Sequence, residues 1–80
     1  MQEIETRSFD HDGCNFALTL FRTANGFSVV AFLNARQVSP SYSVSFETYS
    51  AYFMQHQQRL TERLFEIAQS DIEQGMYFRA

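Results

Sequence analysis

The stretch of sequence that decides the fold is FALTLFRTANGFSVVAFL, residues 16–33. Two runs rich in β-branched and aromatic residues flank Asn25-Gly26, and Asn-Gly is the pair most typical of a type I′ β-hairpin turn. The stretch therefore predicts two antiparallel strands joined by a two-residue loop. The cross-strand pairs expected from that loop are Leu20–Ala31 and Leu18–Leu33 on one face and Phe21–Val30 on the other.

A further strand is expected after Leu33. With Asn34-Ala35 as a two-residue loop, Leu33 faces Arg36, and apolar and polar residues then alternate as they do in a half-buried strand. Pro40 has no N–H to donate, which marks an edge or bulged strand. The residues expected on the Leu18/Leu20 face are Val38, Pro40, Tyr42, Val44 and Phe46, and those expected opposite are Ser39, Ser41, Ser43, Ser45 and Glu47.

The orientation of the first strand depends on its turn. A three-residue loop, His11-Asp12-Gly13, with Gly13 in the left-handed region would place Ile4, Thr6 and Ser8 inside and Glu5, Arg7 and Phe9 outside. A two-residue loop would reverse the faces and bury the charged side chains of Glu5 and Arg7, so the three-residue loop is preferred.

After Glu47 the period of the apolar residues changes from two to about 3.6, which predicts a helix. Thr48 or Ser50 can be its N-cap, and Gly75 is a natural stop. A helix over residues 48–74 would be ~40 Å long against ~30 Å for the strands, so it either breaks or overhangs the sheet. The candidate breaks are Gln57-Gln58 and Ser70-Asp71, and an overhang would carry Ile72.

The sequence thus predicts one α+β domain over residues 1–80. It consists of a four-stranded antiparallel meander sheet (ββββ) followed by one long C-terminal amphipathic helix packed on one face. The expected ranges are strands near 3–10, 14–24, 27–34 and 37–47, a helix near 48–74 with no helix before Glu47, and a tail over 75–80.

Composition excludes several classes of function. The chain is acidic, with a net charge of −3, and all six of its basic residues are Arg. Without Lys there is no side-chain Schiff-base chemistry, and without a basic stripe neither nucleic acid nor an anionic membrane is an expected partner. One cysteine, no signal-like start and no long apolar run favour a cytoplasmic protein.

The densest set of chemically capable side chains is Asp10-His11-Asp12-Gly13-Cys14-Asn15. A structural zinc site needs about four ligands, and only His56 could join His11 and Cys14, so we expect a hairpin turn and no metal. Cys14 and His11 could be drawn as nucleophile and base, but a hairpin tip provides neither a third orienting group nor a pocket. We therefore expect no catalytic residue, no cofactor and no small-molecule substrate.

Aromatic residues point instead to a working surface. Nine Phe and four Tyr exceed the needs of a minimal core, and a single helix can cover only one face of the sheet. The sequence therefore predicts a small non-enzymatic protein-interaction module, a homodimer or a binder of a protein target. The residues expected at that surface are Phe9, Phe21, Val30, Phe32 and Ile72, together with Met76, Tyr77 and Phe78 of the tail.

The sequence is also compatible with two other functions. Aromatic side chains on the outer sheet face could stack nucleic-acid bases, although few arginines lie nearby. The chain also has the size and order of elements of a small phage-type inhibitor or regulator that acts by occluding a surface, an analogy of fold class alone.

Overall fold

The computed structural model describes residues 2–75, which form five strands and two helices. The strands are β1 (Gln2–His11), β2 (Cys14–Arg22), β3 (Gly26–Leu33), β4 (Arg36–Gln37) and β5 (Tyr42–Ser45), and the helices are α1 (Phe46–His56) and α2 (Leu60–Glu73). All strand pairs are antiparallel, in the order β1-β2-β3, and β4 and β5 share the far edge of β3. The predicted α+β class and antiparallel sheet are confirmed. The predictions of an unbroken fourth strand and of one long helix are wrong.

The hydrophobic core lies between one face of the sheet and α2. We call this face the inner face and the opposite one the outer face. The core residues are Phe16, Leu18, Leu20, Val29 and Ala31 from the sheet and Leu64, Phe65, Ala68 and Ile72 from α2. Successive side chains of a strand point to opposite faces, so these residues also fix which side chains lie outside.

The β2–β3 hairpin forms as expected, but its tip is Ala24-Asn25. Arg22 pairs with Phe27, and the N–H of Thr23 donates to the carbonyl of Gly26 at 2.8 Å. Each partner is displaced by two residues, so Leu20 faces Val29 in place of Ala31. Because the displacement is even, the two faces of the hairpin are those the sequence predicted.

Gly26 explains why the tip was misplaced. It is not among the residues with positive φ, so it does not serve a type I′ turn. A Cβ at this position would collide with the backbone carbonyl of Val44 in β5. The glycine is needed for the close approach of two strands, a use that short-range sequence patterns do not distinguish from a turn.

The turn between β1 and β2 has two residues, Asp12-Gly13, and the three-residue loop is wrong. Both residues have positive φ, 50° and 77°, as a type I′ turn requires. His11 therefore faces Cys14, and the faces of β1 are exchanged. The residues on the inner side are Glu5, Arg7 and Phe9, and those on the outer side include Thr6 and Ser8.

The inner face accepts Arg7 because β1 is an edge strand and the guanidinium has partners. Arg7 donates to both carboxylate oxygens of Glu62 in α2, at 2.8 and 2.6 Å, and also to Glu5 of its own strand. Its guanidinium carbon lies 4.2 Å from the centre of the Phe65 ring. The side chains of Arg7 and Glu5 keep 39% and 43% exposure, so no charge is buried without compensation.

The Asn34-Ala35 turn is confirmed, with φ of 53° and 66° and Leu33 opposite Arg36. The strand that follows is interrupted between β4 and β5. There the buried hydroxyl of Ser39 accepts the N–H of Ala31 at 3.0 Å, in the place a strand carbonyl would occupy. Pro40 lies in this bulge, as its missing N–H allows.

Across the bulge, the strand that pairs with β3 contains two residues more than the facing part of β3. Leu33 and Arg36 are opposite each other before it, and Val29 and Tyr42 after it. An even gain preserves the faces, so Val38, Tyr42 and Val44 pack against the core while Ser43 lies outside. Pro40 lies in the bulge, and Phe46 and Glu47 belong to α1, so the prediction that these three residues lie in a strand is wrong. Ser45 is the last residue of β5, where it pairs with Gly26.

The helical region is broken at Gln57, one of the two positions the sequence offered. Gln57 has φ of 57°, and its N–H donates to the carbonyl of Phe53 at 2.8 Å, which ends α1. The N-cap of α1 is Ser45, and not Thr48 or Ser50, so the helix begins at Phe46, one residue before the expected limit. Neither helix of the described residues combines the length and apolarity needed to cross a membrane.

Candidate interaction surface on the outer face of the sheet

Within residues 2–75, the contacts of both helices are with the inner side of the sheet. Leu64, Phe65, Ala68 and Ile72 of α2 join the core. The rings of Phe46 and Tyr49 in α1 contact Phe27, at centroid distances of 5.4 and 5.0 Å. The outer face is thus the sheet surface that the described helices leave open.

Phe21 and Phe32 meet across the middle of this face. Their ring centroids are 6.5 Å apart and the rings are inclined at 74°, an edge-to-face contact. In the ladder, the Thr19–Val30 pair lies between the pairs that contain the two phenylalanines. The rings therefore extend towards each other over Thr19 and Val30, which are only 4% and 6% exposed.

Polar side chains on the outer face are bonded to one another. The hydroxyl oxygens of Ser28 and Ser43 are 2.9 Å apart, and those of Thr6 and Thr19 are 3.2 Å apart. Covering this surface would leave those hydroxyls with their hydrogen-bond partners, which lowers the free-energy cost of removing water. The face can accordingly be covered by an apolar ligand.

A concavity of about 590 Å³ opens beside the two phenylalanine rings. Small side chains form much of its lining, and the only ionisable side chain among the described lining residues is Glu3. The lining residues are Glu3, Thr6, Asn15, Ala17, Thr19, Phe21, Phe32, Asn34 and Ala35. We call these residues, with Val30, the outer groove.

The structure brings together only some of the residues predicted for the surface. Phe21, Val30 and Phe32 lie there, as predicted. Phe9 does not, because the two-residue turn places it inside, where its ring stacks on Phe16 at 5.3 Å. Ile72 does not either, because it is fully buried in the core. Met76, Tyr77 and Phe78 lie outside the described residues.

Sequence reasoning missed the floor of the groove. Ala17 and Thr19 carry no functional pattern, although their alternation with Leu18 and Leu20 placed them on the outer side. Thr6 was assigned to the inner face through the wrong turn. The strand alternation alone could have identified Ala17 and Thr19, whereas Thr6 required the correct loop length.

The Asp10–Asn15 segment is a turn whose side chains bond locally. Asn15 donates to Asp10 at 2.9 Å across the ladder, and His11 Nε2 lies 3.3 Å from an Asp12 carboxylate oxygen. Cys14 packs against the edge of the core. Among the described residues, no three His, Cys, Asp or Glu side chains are placed to hold a metal ion.

A second concavity, of about 530 Å³, lies between the two helices. Its lining is charged and mixed in sign, and Arg63 donates to Glu66 within it at 3.0 Å. Exposed pairs of this kind contribute little and are well solvated. The lining residues are Tyr52, Gln58, Arg59, Glu62, Arg63 and Glu66.

Comparison with known proteins gives no relative. No protein-family model matches the chain, and searches of curated proteins and of solved structures give no significant match. The geometry of the outer groove therefore carries the functional argument.

Proposed function

We propose that this chain is a small non-enzymatic protein-interaction module that binds an apolar segment of a protein partner in its outer groove. The observation that carries the proposal is the edge-to-face contact of Phe21 and Phe32 beside a concavity on the sheet face that the helices leave open. Aromatic side chains that are partly buried before binding lose little conformational freedom on binding and provide large contact area.

The chemistry of the groove favours a protein segment over nucleic acid. Base-stacking surfaces surround their aromatic side chains with Lys or Arg, which bind the phosphates. The described lining of the outer groove holds one carboxylate, Glu3, and no basic residue. That charge repels a phosphate backbone and leaves apolar contact as the main source of affinity.

The same lining supports a binding role over catalysis. Reaction sites need a nucleophile, an acid–base pair or an electrophilic group within reach of a substrate. The groove residues provide hydroxyls that are bonded to each other and amides of Asn15 and Asn34. These groups suit the orientation of a peptide backbone.

The proposal has two forms, which differ in the protein that occupies the groove. A second copy of this chain on the groove would make the module a homodimer, whereas a foreign protein would make it an adaptor or a surface-occluding inhibitor. We also propose a cytoplasmic location, which the single thiol of Cys14 supports because thiols stay reduced there.

Phe32→Glu tests the proposal. Phe32 lies outside the core, so the variant should keep its circular dichroism spectrum while placing a charge in the groove. Peptides selected on the wild type from a phage-displayed library should bind the variant at least ~10-fold more weakly, a loss of about 1.4 kcal/mol. Phe53→Glu on α1, where Phe53 is 43% exposed, is the matched control and should bind as wild type does.

Three results would decide against the groove. These are failure to select any peptide, equal affinity of the selected peptides for wild type and Phe32→Glu, and unfolding of Phe32→Glu. Salt-dependent binding of single-stranded oligonucleotides that Phe32→Glu abolishes would favour the nucleic-acid alternative.

A further inference from the structure

Strand β1 is an open edge of the sheet. It pairs with β2 on one side, and no strand of residues 2–75 pairs with its other side. Open edges present unpaired N–H and C=O groups that can bond a further strand. The register of β1 shifts between Glu3 and Glu5, so its regular part covers residues 5–11. The opposite edge is divided into β4, of two residues, and β5, of four, so the longer regular stretch belongs to β1.

The turn fixes which backbone groups of β1 point outwards. The two residues that flank a two-residue hairpin loop, here His11 and Cys14, exchange both hydrogen bonds. Bonded and non-bonded pairs then alternate along the ladder as far as Glu5, where the register shifts. Arg7 and Phe9 consequently bond to β2. Thr6 and Ser8 direct their N–H and C=O groups away from it.

This alternation limits how a second copy of β1 could add antiparallel to the first. Residues that point outwards must be opposite one another, so Thr6 or Ser8 of one copy faces Thr6, Ser8 or Asp10 of the other. Side chains of the intervening residues, which include Glu5 and Arg7, then lie opposite each other at the closer, non-bonded positions.

Charge selects one of the remaining registers. With Thr6 opposite Thr6 of the second copy, Glu5 of each copy faces Arg7 of the other, which gives two favourable pairs. A shift in one direction places Arg7 opposite Arg7, and a shift in the other places Glu5 opposite Glu5. The register with Ser8 opposite Ser8 places Arg7 opposite Phe9 and forms no pair between Glu5 and Arg7. Like charges directly opposite are destabilising, so the Thr6-centred register is the favoured one.

Arg7 can accept this additional partner. A guanidinium has five N–H donors, and its contacts with Glu62 and Glu5 account for three of them. Helix α2 packs over β3 and β2. The side of β1 that does not pair with β2 is therefore accessible.

We propose that two copies of this chain associate through antiparallel β1 strands centred on Thr6, forming one continuous sheet. This inference goes beyond the proposed function, because it concerns the edge of the sheet and not its outer face. Since Thr6 also lines the outer groove, the two grooves would lie side by side on the same face of the joined sheet.

Ser8→Pro tests the use of the edge. Its N–H points away from β2, so proline should leave the monomer folded while removing a donor from the strand pair. Light scattering should give twice the 9.3 kDa chain mass for the wild type and for the control Ser8→Ala. Ser8→Pro should give the mass of one chain.

Charge exchange tests the register. Glu5→Arg puts two arginines opposite each other in a homodimer, and Arg7→Glu puts two glutamates opposite each other, so both should be monomeric. Arg7→Glu is made together with Glu62→Arg to keep the contact with α2. A mixture of the two variants places unlike charges at every such position and should restore the dimer mass.

The outcomes separate this proposal from the outer groove. A wild type that is monomeric at millimolar concentration, or a dimer that survives Ser8→Pro, overturns the edge proposal. A dimer lost in Phe32→Glu but kept in Ser8→Pro assigns self-association to the outer groove instead. Peptide binding that is retained in Ser8→Pro leaves the proposed function intact whatever happens to the dimer.

Discussion

Arg7 shows how a single charged residue can lie on the core side of a small sheet. The hydrogen bonds from Arg7 hold the pKa of the Glu62 carboxyl below its usual 4.5 and raise the pKa of the guanidinium. The Glu62 side chain is 50% exposed, so the ion pair is screened by water. The contact of the guanidinium with the Phe65 ring adds attraction that solvent weakens less.

Arg7→Ala should lower the free energy of unfolding by about 1 kcal/mol at pH 7, the combined scale of an exposed ion pair and a cation–π contact. Because the folded pKa of Glu62 is depressed, the ion-pair part is present above pH 4.5 and is lost as the pH falls through the folded pKa. Urea unfolding at pH 7 and at pH 3 measures the difference. It should shrink at pH 3, and a difference that grows there would contradict this assignment.

Arg63→Ala is the control for that measurement. Arg63 pairs with Glu66 one helical turn away, and both side chains are more than half exposed. Such a pair contributes only ~0.3–0.5 kcal/mol, so the control should change stability by less than Arg7→Ala at pH 7.

The side chain of Ser39 takes the place of a backbone group in the sheet. Removing its hydroxyl leaves the N–H of Ala31 without its acceptor inside the sheet. Ser39→Ala should therefore lower the free energy of unfolding by about 1–3 kcal/mol. Ser41→Ala, at an exposed position of the same bulge, should have little effect in the same denaturant series. Equal effects of the two variants would show that the hydroxyl has no such role.

Among the elements, the two helices differ in what terminates and anchors them. Helix α1 ends on Gln57 in the left-handed region, where a side chain costs about 1–2 kcal/mol that glycine avoids. Helix α2 then turns its apolar stripe, from Leu64 to Ile72, onto the sheet. The break lets the two helices follow different directions, which one continuous helix could not do.

Gln57→Gly should raise the free energy of unfolding by about 0.5–1 kcal/mol, because the relief of strain exceeds the added flexibility of the unfolded chain. Thermal unfolding followed by circular dichroism measures it. Gln58→Gly is the neighbouring control. Gln58 is not among the residues with positive φ, so that change should be neutral or destabilising. A lower melting temperature for Gln57→Gly would show that the break is not strained.

Element types could largely be predicted from the sequence, whereas turn positions could not. Asn34-Ala35 was identified from the alternation on both sides of it. Gly26 was assigned to a turn because the need for a close approach to Val44 depends on a strand that pairs only in the folded sheet. The sequence does not predict the short Asp12-Gly13 turn, because Glu62, whose carboxylate pairs with Arg7 on the inner face, lies on a helix 55 residues later.

The same distinction explains what was predictable of the outer groove. Even displacements of a register conserve faces, so Phe21, Val30 and Phe32 were placed correctly despite the misplaced hairpin tip. The odd change in the first turn exchanged the faces of β1, so Phe9 was assigned to the wrong face and Thr6 was overlooked.

At the scale of the whole molecule, stability is concentrated in β2, β3 and α2. Helix α1 contains no buried residue, and Phe53 and Met54 are 43% and 74% exposed. It is held to the sheet mainly through aromatic contacts with Phe27. One end of the molecule is therefore much more weakly anchored than the other.

Amide hydrogen exchange should resolve this difference. The amides of α1 should exchange through local opening, with a much smaller free energy than the amides of β2 and β3, which should exchange only on global unfolding. The amides of α2 are the internal control and should resemble those of the sheet. Equal protection in the two helices would show that α1 unfolds only with the rest.

The two extra residues between β4 and β5 also indicate which insertions this part of the chain can accept. An insertion of two residues near Ser41 would leave every side chain downstream on its present face, whereas an insertion of one would turn Tyr42 and Val44 outwards and Ser43 inwards. Homologous chains that differ in length by one or two residues at this site should therefore carry two-residue insertions more often than single ones.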